Sequence, residues 1–180
     1  FLDIPWHHPN IEKKTELLVK HLLIKADAVT VISFKVKNDL SKFYNKKTHV
    51  IYNPMKDVSY DEKIKKNNNF FYVGRVFDPV KRFSLVREAV SKIKDGEKNI
   101  KICGLKDPKF GNYLGIIKDE HLNEIYNSSK YVLLPSKAEG IGLPMIEGMV
   151  CGAIPIMCSD NLTAKEFAPS DFICEPNANS

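Results

Sequence analysis

Two glutamates frame the segment EGIGLPMIE, which runs from Glu139 to Glu147. Proline is favoured at the first position of a helix, so Pro144 predicts a helix that begins near Leu143–Pro144. Backbone N–H groups at such a start have no partner inside the helix, and together with the helix dipole they attract an anion. The groups concerned belong to Ile141, Gly142 and Leu143. Because Gly140 and Gly142 let a ligand approach the backbone closely, the segment predicts an anion-binding loop.

The two carboxylates lie on either side of this loop in the sequence. Glu139 precedes it, and Glu147 lies about one helical turn beyond Pro144. Ionised carboxylates accept hydrogen bonds from hydroxyl groups, so the pair could hold two hydroxyl-bearing parts of one anionic ligand. The alternative is that Glu147 is a solvated helix residue favoured by the dipole of the first turn, and that Glu139 is an ordinary loop acid.

A second group of charged residues follows the apolar run FFYV at 70–73. Gly74 and Arg75 come directly after this run, and Lys81 and Arg82 lie at the start of a predicted helix. Cations at a helix start oppose the helix dipole, and a nearby phosphate would remove that conflict. We therefore expect Arg75 and Lys81 to bind an anion. The alternative for Arg75 is a surface ion pair.

Strands and helices alternate from residue 70 onward. The predicted strands are 70–73, 99–103, 131–135 and 153–158, and the predicted helices are Pro79–Lys94, Asp119–Ser128 with Asp119 as N-cap, and Pro144–Val150. Apolar strands separated by helices are typical of a parallel sheet covered on both faces. The sequence thus predicts an α/β, Rossmann-like fold. Ligands of such folds bind at the carboxyl ends of the strands, where the turns here carry glycine and charged residues.

The first part of the chain predicts shorter elements. Residues 11–25 have helical apolar spacing, 27–33 and 48–52 are β-rich, and Ser33 is placed to open a helix between them. Residues 55–69 are polar without sustained periodicity, which indicates a linker. We therefore predict three parts: a segment at 1–54, the linker at 55–69 and a ligand-binding domain at 70–180.

The net charge of +5 comes from the first third, since residues 1–68 hold 13 lysines and 8 acidic residues and the rest is balanced. A basic face of this kind suits an anionic membrane surface or a phosphorylated substrate, or is simply a solvated lysine-rich face. Because the lysines lack accompanying arginines and interleaved aromatic residues, we expect no nucleic-acid partner.

The four cysteines, Cys103, Cys151, Cys158 and Cys174, form no close pairs. They predict buried thiols in a reducing compartment rather than a zinc site. The first residues lack the pattern of a signal peptide, and no apolar run has transmembrane length. We expect a cytoplasmic protein, with peripheral membrane contact through the basic first third as an option.

Taken in order, the segments VISFKVKNDL, HVIYNP, FFYVGRVFDPVKRFSLV and SKAEGIGLPMIEGMVCGAIPI resemble the GT-B glycosyltransferases, most closely glycosyltransferase family 4. The likeness covers roughly residues 26–176, and the two glutamates with seven residues between them are its most specific part. It implies retaining transfer of a sugar from a nucleotide-sugar donor (a UDP-, GDP- or ADP-sugar) to a glycan, lipid-linked or protein acceptor. No metal or other cofactor is implied.

The resemblance also implies roles for individual residues. Arg75 and Lys81, after the Gly74 turn, match the pair that holds the donor diphosphate. Glu139 matches the glutamate that contacts the donor sugar, and Glu147 the one that binds the ribose hydroxyls. The remaining matches are Gly140 to Leu143, facing the sugar and phosphate, and Ile116 and Ile117, edging the base. The implied catalytic residues are therefore Glu139, Arg75 and Lys81. The two cations, Arg75 and Lys81, stabilise the departing nucleoside diphosphate.

Two departures from the family pattern leave other functions open. The family usually has Lys-Gly where this chain has Lys81-Arg82, and a complete GT-B enzyme has a second Rossmann-like domain of which residues 1–54 match only the end. On that acceptor side, Asp3, His7 and His8 are candidates for the reaction centre. The alternatives are a nucleotide-sugar-binding module without turnover, a GT-B nucleotide-sugar epimerase, and a regulatory domain, which would need an aspartate at a strand end.

Overall fold

The computed structural model describes residues 13–42, 44–45 and 47–179. Contacts between Cα atoms divide the chain into two compact units that meet in sequence at Asn53 and Pro54. Within the described residues, no helix combines the length and the apolar character needed to cross a membrane.

In its described residues, 13–42, 44–45 and 47–53, the first unit contains two helices and two strands. They are α1 (Lys13–Lys25), β1 (Val29–Val31), α2 (Phe34–Ser41) and β2 (Thr48–Val50), and the two strands pair in parallel. Ser33 caps α2 as predicted, because its Oγ accepts a hydrogen bond from the Val36 N–H at 3.2 Å. Val31, Val36, Leu40 and Tyr44 form the core of the unit.

Over residues 54–179, the second unit is built on a six-stranded sheet whose strands pair in parallel. Its strands are β3 (Asn67–Val73), β4 (Ile100–Cys103), β5 (Asn112–Gly115), β6 (Ser129–Leu134), β7 (Ile154–Cys158) and β8 (Ile173–Cys174). They lie in the order β5-β4-β3-β6-β7-β8. The helices are α3 (Phe83–Ser91), α4 (Asp119–Ser128), α5 (Leu143–Val150) and α6 (Ala164–Phe167). The predicted α/β fold with a parallel sheet flanked by helices is confirmed.

Successive residues of β3 show how both faces of the sheet are covered. Tyr72 packs in the cluster that contains Phe83 of α3, and the two rings meet edge to face with centroids 4.9 Å apart. Phe71 lies in the other cluster, where it meets Tyr126 of α4 edge to face at 5.1 Å. Because side chains alternate along a strand, these neighbours belong to opposite faces. The near-continuous apolar character of the strands follows from this double burial.

The segment 55–69, predicted as a linker, packs within the second unit, and its last residues belong to β3. Val58 is buried in a core cluster. The Lys66 ammonium donates hydrogen bonds to the carbonyls of Asn127, Ser129 and Cys151, at 3.0, 3.2 and 2.8 Å. One buried valine and several polar contacts hold the segment. It lacks a sustained apolar period, and its sequence therefore resembles that of a linker.

The helices differ from the predictions in two places. The helix predicted over Pro79–Lys94 is a 3₁₀ turn, Pro79–Lys81, followed by α3, with the break at Arg82. Asp119 is the first residue of α4 rather than its cap, which is Lys118. The strands β5 and β8 and the helix α6 are additions to the predicted set, and each has only two to four residues. Of the thiols predicted to be buried, Cys103, Cys151 and Cys158 are buried, and Cys174 is half-buried.

Candidate functional site

The sheet order brings together loops that are distant in sequence. β3 lies between β4 and β6, and β7 lies beside β6. Because the strands are parallel, the loops that follow β3, β6 and β7 leave from one edge of the sheet. These loops contain the predicted residues Arg75, Lys81 and Glu139, and the start of α5 follows the second of them.

The loop after β3 is fixed by its own side chains. Asp78 caps the 3₁₀ turn, since its Oδ1 accepts a hydrogen bond from the Val80 N–H at 2.9 Å. Its Oδ2 lies 2.8 Å from Nη2 of Arg75, whose side chain is 63% exposed, so the Arg75 guanidinium remains accessible to a ligand. Arg82 then adopts a left-handed backbone conformation with φ 49°. That conformation costs a residue other than glycine about 1–2 kcal/mol.

Lys81 and Glu139 form an ion pair across two loops. Lys81 Nζ lies 2.6 Å from Glu139 Oε1, and both side chains are largely buried. A backbone hydrogen bond at 2.9 Å, from the Lys137 N–H to the Val80 carbonyl, joins the same loops. The sequence suggested that a bound phosphate offsets the unfavourable position of the Lys81 cation near a helix start. In the structure, the Glu139 carboxylate already offsets part of this unfavourable interaction.

The start of α5 has the form that the sequence predicts. α5 begins at Leu143, and Gly142 precedes it with φ 81°. A Cβ at this position would also lie 3.0 Å from Leu134, so both conformation and space favour glycine. In the described part of the chain, no group accepts a hydrogen bond from the N–H of Ile141, Gly142 or Leu143. Gly140 is half-buried at the beginning of this turn.

Glu147 is not a solvated helix residue, because only 3% of its surface is exposed. Its Oε2 accepts a hydrogen bond from the Tyr126 hydroxyl of α4 at 2.8 Å. Burial raises the pKa of Tyr126 above its ordinary value, and the neighbouring Glu147 carboxylate raises it further. Tyr126 therefore remains a neutral donor, and it fixes the direction of the second carboxylate of the pair.

The other predicted residues lie at the edges of this region or outside it. Ile116 follows β5 and is 77% exposed, whereas Ile117 is partly buried against the cluster beneath α4. Gly74 is the residue directly after β3, and its N–H donates to the Cys103 carbonyl of β4. Asp3, His7 and His8 lie outside the described residues.

The loop after β7 contributes contacts that the sequence analysis missed. Thr163 Oγ1 donates to the Glu139 carbonyl at 2.7 Å, and the Asn161 Oδ1 accepts from the Thr163 N–H at 3.1 Å. Asp160 binds the Arg82 guanidinium through both of its oxygens, at 2.8 and 2.5 Å. Their position in the sequence could have indicated them, because they follow a predicted strand, as Arg75 and Glu139 do.

Three buried polar atoms lack a hydrogen-bond partner among the described residues. They are the Tyr72 hydroxyl, the Ser136 hydroxyl and the Asn161 Nδ2. All three residues lie at or just beyond the carboxyl ends of β3, β6 and β7. Burial raises the pKa of Tyr72, and the nearby Glu139 and Asp78 raise it further. Unsatisfied donors, two cations and a free helix start are thus gathered at one edge of the sheet.

A group with several hydroxyls and a phosphate would use these features in different ways. Its negative charge would suit Arg75, Lys81 and the start of α5, because cations and unpaired N–H groups stabilise anions. Its hydroxyls would suit the two carboxylates, which act here as acceptors.

A model of the family described as "Glycosyl transferases group 1" matches residues 55–180. Among curated proteins, the O-antigen chain mannosyltransferase RfbU of Salmonella typhimurium is 26% identical over 177 residues. The match covers 87% of this chain and 49% of the relative, so this chain spans about half of that protein's length.

Two solved structures show the same fold. TarM superposes with a TM-score of 0.77 at 19% identity, over 96% of this chain and 39% of TarM. HepE of Anabaena, in complex with UDP and glucose, superposes with a TM-score of 0.73 at 16% identity, over 98% of this chain and 57% of HepE. The expectation that the chain has part of a GT-B fold is confirmed.

Proposed function

The chain belongs to the group 1 glycosyltransferases, and from this premise we propose that it holds the nucleotide-sugar donor of an enzyme that transfers a sugar to a glycan, lipid-linked or protein acceptor. The observation that carries the proposal is the Lys81–Glu139 pair beside the free N–H groups at the start of α5. The Lys81 ammonium and these N–H groups favour an anion, and the neighbouring Glu139 carboxylate can accept hydrogen bonds from sugar hydroxyls.

The proposed roles follow from position and charge. Arg75 and Lys81 bind the diphosphate, together with the loop from Gly140 to Leu143. As the sugar leaves, negative charge grows on the nucleoside diphosphate, and fixed cations and helix N–H groups stabilise that charge most in the transition state. Glu139 contacts the sugar. The proposed reaction proceeds with retention and requires no metal ion.

Glu147 and the residues after β5 are proposed to hold the nucleoside. Tyr126 occupies one oxygen of Glu147, and the second oxygen is the proposed acceptor for the ribose hydroxyls. Ile116, exposed at the end of β5, would contact the base, while Ile117 supports that turn from the core. Because these groups recognise features common to all nucleotides, they leave the choice of base open.

A thermal-shift panel of UDP, GDP, ADP and their sugars tests the donor site directly. A ligand at 100 times its Kd stabilises the folded state by about 2.7 kcal/mol. We expect at least one nucleotide to raise the Tm, and Glu147→Ala to reduce that shift. Glu124→Ala, which removes an exposed carboxylate of α4, is the matched control. Mannose is the first sugar to test, given the name of the Salmonella relative. No shift with any nucleotide at millimolar concentration would overturn the proposal.

Turnover separates transfer from the alternatives. A transferase releases nucleoside diphosphate faster when an acceptor glycan is added, whereas an epimerase forms a new nucleotide sugar without an acceptor. A module without turnover binds the nucleotide and does neither. Product analysis of a nucleotide-sugar reaction, with and without a mannose-containing acceptor, distinguishes these three outcomes.

We also propose peripheral contact with an anionic membrane through the basic first third. Leu17 and Ile24 of α1 are each 64% exposed. They are seven positions apart and therefore lie on the same side of the helix. Lys20 and Lys25 belong to the same helix, and lysines near a membrane surface contribute about 1 kcal/mol each. Vesicle sedimentation should show binding that falls as salt rises, and indifference to anionic lipid would exclude it.

A further inference from the structure

Arg82 joins the loop after β3 to the loop after β7. Its guanidinium donates one hydrogen bond to each Asp160 oxygen, at 2.8 and 2.5 Å. This bidentate geometry is among the strongest that an ion pair adopts. It also raises the pKa of Arg82 and lowers that of Asp160, in both cases chiefly through the hydrogen bonds between the two side chains. The pair spans two loops that are 78 residues apart in the sequence.

Two further contacts complete a closed circuit of loops. Thr163, in the loop of Asp160, donates to the Glu139 carbonyl in the loop after β6. The Glu139 side chain in turn pairs with Lys81, which precedes Arg82 in the loop after β3. These side-chain contacts connect the three loops pairwise, and the backbone hydrogen bond from Lys137 to Val80 is a second link between the loops after β3 and β6. Loss of the Arg82–Asp160 pair or of the Thr163 contact therefore leaves an open chain of contacts.

We infer that Arg82 and Asp160 are positioning residues, which close this circuit and thereby hold Lys81 and Glu139 in place for the donor. The inference rests on the proposed function, because it concerns the residues proposed to contact the diphosphate and the sugar. The backbone of Arg82 supports it. A left-handed residue separates the 3₁₀ turn, which ends at Lys81, from α3, so the conformation at Arg82 sets the angle between the turn that carries Lys81 and this helix.

The side chain of Arg82 has a role that glycine cannot fill. Glycine adopts the left-handed conformation without strain, but it has no group to reach Asp160. The strain at Arg82 is thus accompanied by a tether to a second loop. Because a displacement of about 1 Å at a binding group can cost roughly 100-fold in rate, a tether at this position would affect function more than stability.

The test compares Asp160→Asn and Arg82→Gly with the wild-type chain. Asp160→Asn preserves size and removes the charge, and Arg82→Gly relieves the backbone while deleting the tether. The double variant Arg82→Asp with Asp160→Arg restores the pair in reverse, since aspartate tolerates the left-handed region. The matched control is Glu88→Gln, which breaks the exposed Glu88–Lys92 pair on α3.

Two measurements are made on each variant. The first is amide hydrogen exchange over residues 136–143, which needs no nucleotide. We expect this loop to exchange at least about 5-fold faster in both single variants, while α3 is unchanged. The second is titration with UDP, GDP and ADP. For the nucleotide that binds the wild type, we expect Kd to rise about 10-fold in the single variants. This is smaller than the loss of rate that a displaced binding group can produce. In the double variant with the reversed pair, we expect Kd to return toward the wild-type value.

The outcomes separate this inference from the proposed function. If exchange over 136–143 does not change in either single variant, the circuit of loops does not hold Glu139 and the inference is overturned, whatever binds. If exchange accelerates but no nucleotide binds the wild type, the proposed function fails. If nucleotide binds all variants equally while only Tm falls, the pair is merely structural and the positioning role is wrong.

Discussion

The Lys81 ammonium lies 2.6 Å from the Glu139 carboxylate, so each of these proposed donor-binding groups satisfies the other. A nucleotide sugar presents both a diphosphate and hydroxyls, and it can therefore approach the two groups without leaving either unpaired. Removing one partner has a different effect, because the other is then a largely buried charge without its counter-ion.

Lys81→Met should weaken binding of nucleoside diphosphate about 10-fold or more, because a charge-assisted hydrogen bond contributes roughly 1.5–3 kcal/mol. The measurement is calorimetric titration with the nucleotide that gives the largest thermal shift. Lys137→Met is the matched control, since its side chain is exposed and its backbone contact to Val80 is retained. Equal affinities of the Lys81 and Lys137 variants would contradict the proposed role of Lys81.

Tyr126→Phe should lower the free energy of unfolding by about 1–3 kcal/mol, the cost of leaving a buried polar group without its partner. The variant keeps the ring, which packs on Phe71, and removes only the hydroxyl that donates to Glu147. Urea denaturation measures the change. Tyr60→Phe, at a position that is 61% exposed, should leave the midpoint almost unchanged, and the prediction is wrong if the two variants behave alike.

Lys66→Met should destabilise the second unit, because three buried or half-buried carbonyls lose their common donor. Those carbonyls belong to residues at or just after the ends of α4 and α5, where a cation is also favoured by the helix dipoles. We expect a loss of about 1–3 kcal/mol in chemical denaturation. The neighbouring Lys65 is exposed, so Lys65→Met provides the control, and similar midpoints for both would refute the anchoring role.

Local sequence patterns are sufficient where a structural feature depends only on neighbouring residues. Pro144 and the glycines before it predict the start of α5 correctly, because that start is determined by local backbone chemistry. Ser33 predicts the cap of α2 for the same reason. The burial of Glu147 could not be predicted, because it depends on Tyr126, which a strand and a loop separate from it in sequence.

Other features of the site depend on contacts between loops. The break in the helix at Arg82 could not be predicted, because the residues around it all tolerate a helix. It lies at the residue whose side chain pairs with Asp160, in a distant loop. Similarly, the packing of 55–69 depends on carbonyls supplied by distant helices. The rule that ligands bind at the carboxyl ends of parallel strands was nevertheless sufficient to indicate the correct edge of the sheet. Applied to the end of β7, the same rule identifies Asp160 and Thr163 as well.

The buried thiols should make the chain progressively less stable above pH 8.5. Burial raises the pKa of Cys103 to about 12 and that of Cys158 to about 11, whereas a thiol in the unfolded chain has a pKa of about 8.5. Their stabilising effect is therefore complete below the unfolded value. As pH rises, the unfolded chain releases protons that the folded chain retains, so the free energy of unfolding falls by about 1.4 kcal/mol per pH unit and thiol.

Urea denaturation at intervals between pH 8 and 10 measures this slope. Cys103→Ala should lower stability at pH 7 because it leaves a small cavity, yet it should make the slope shallower by the share of one thiol. The change in slope is the informative quantity, since a cavity alone shifts the curve without altering its dependence on pH. An unchanged slope in Cys103→Ala would show that this thiol ionises equally in the folded and unfolded chains.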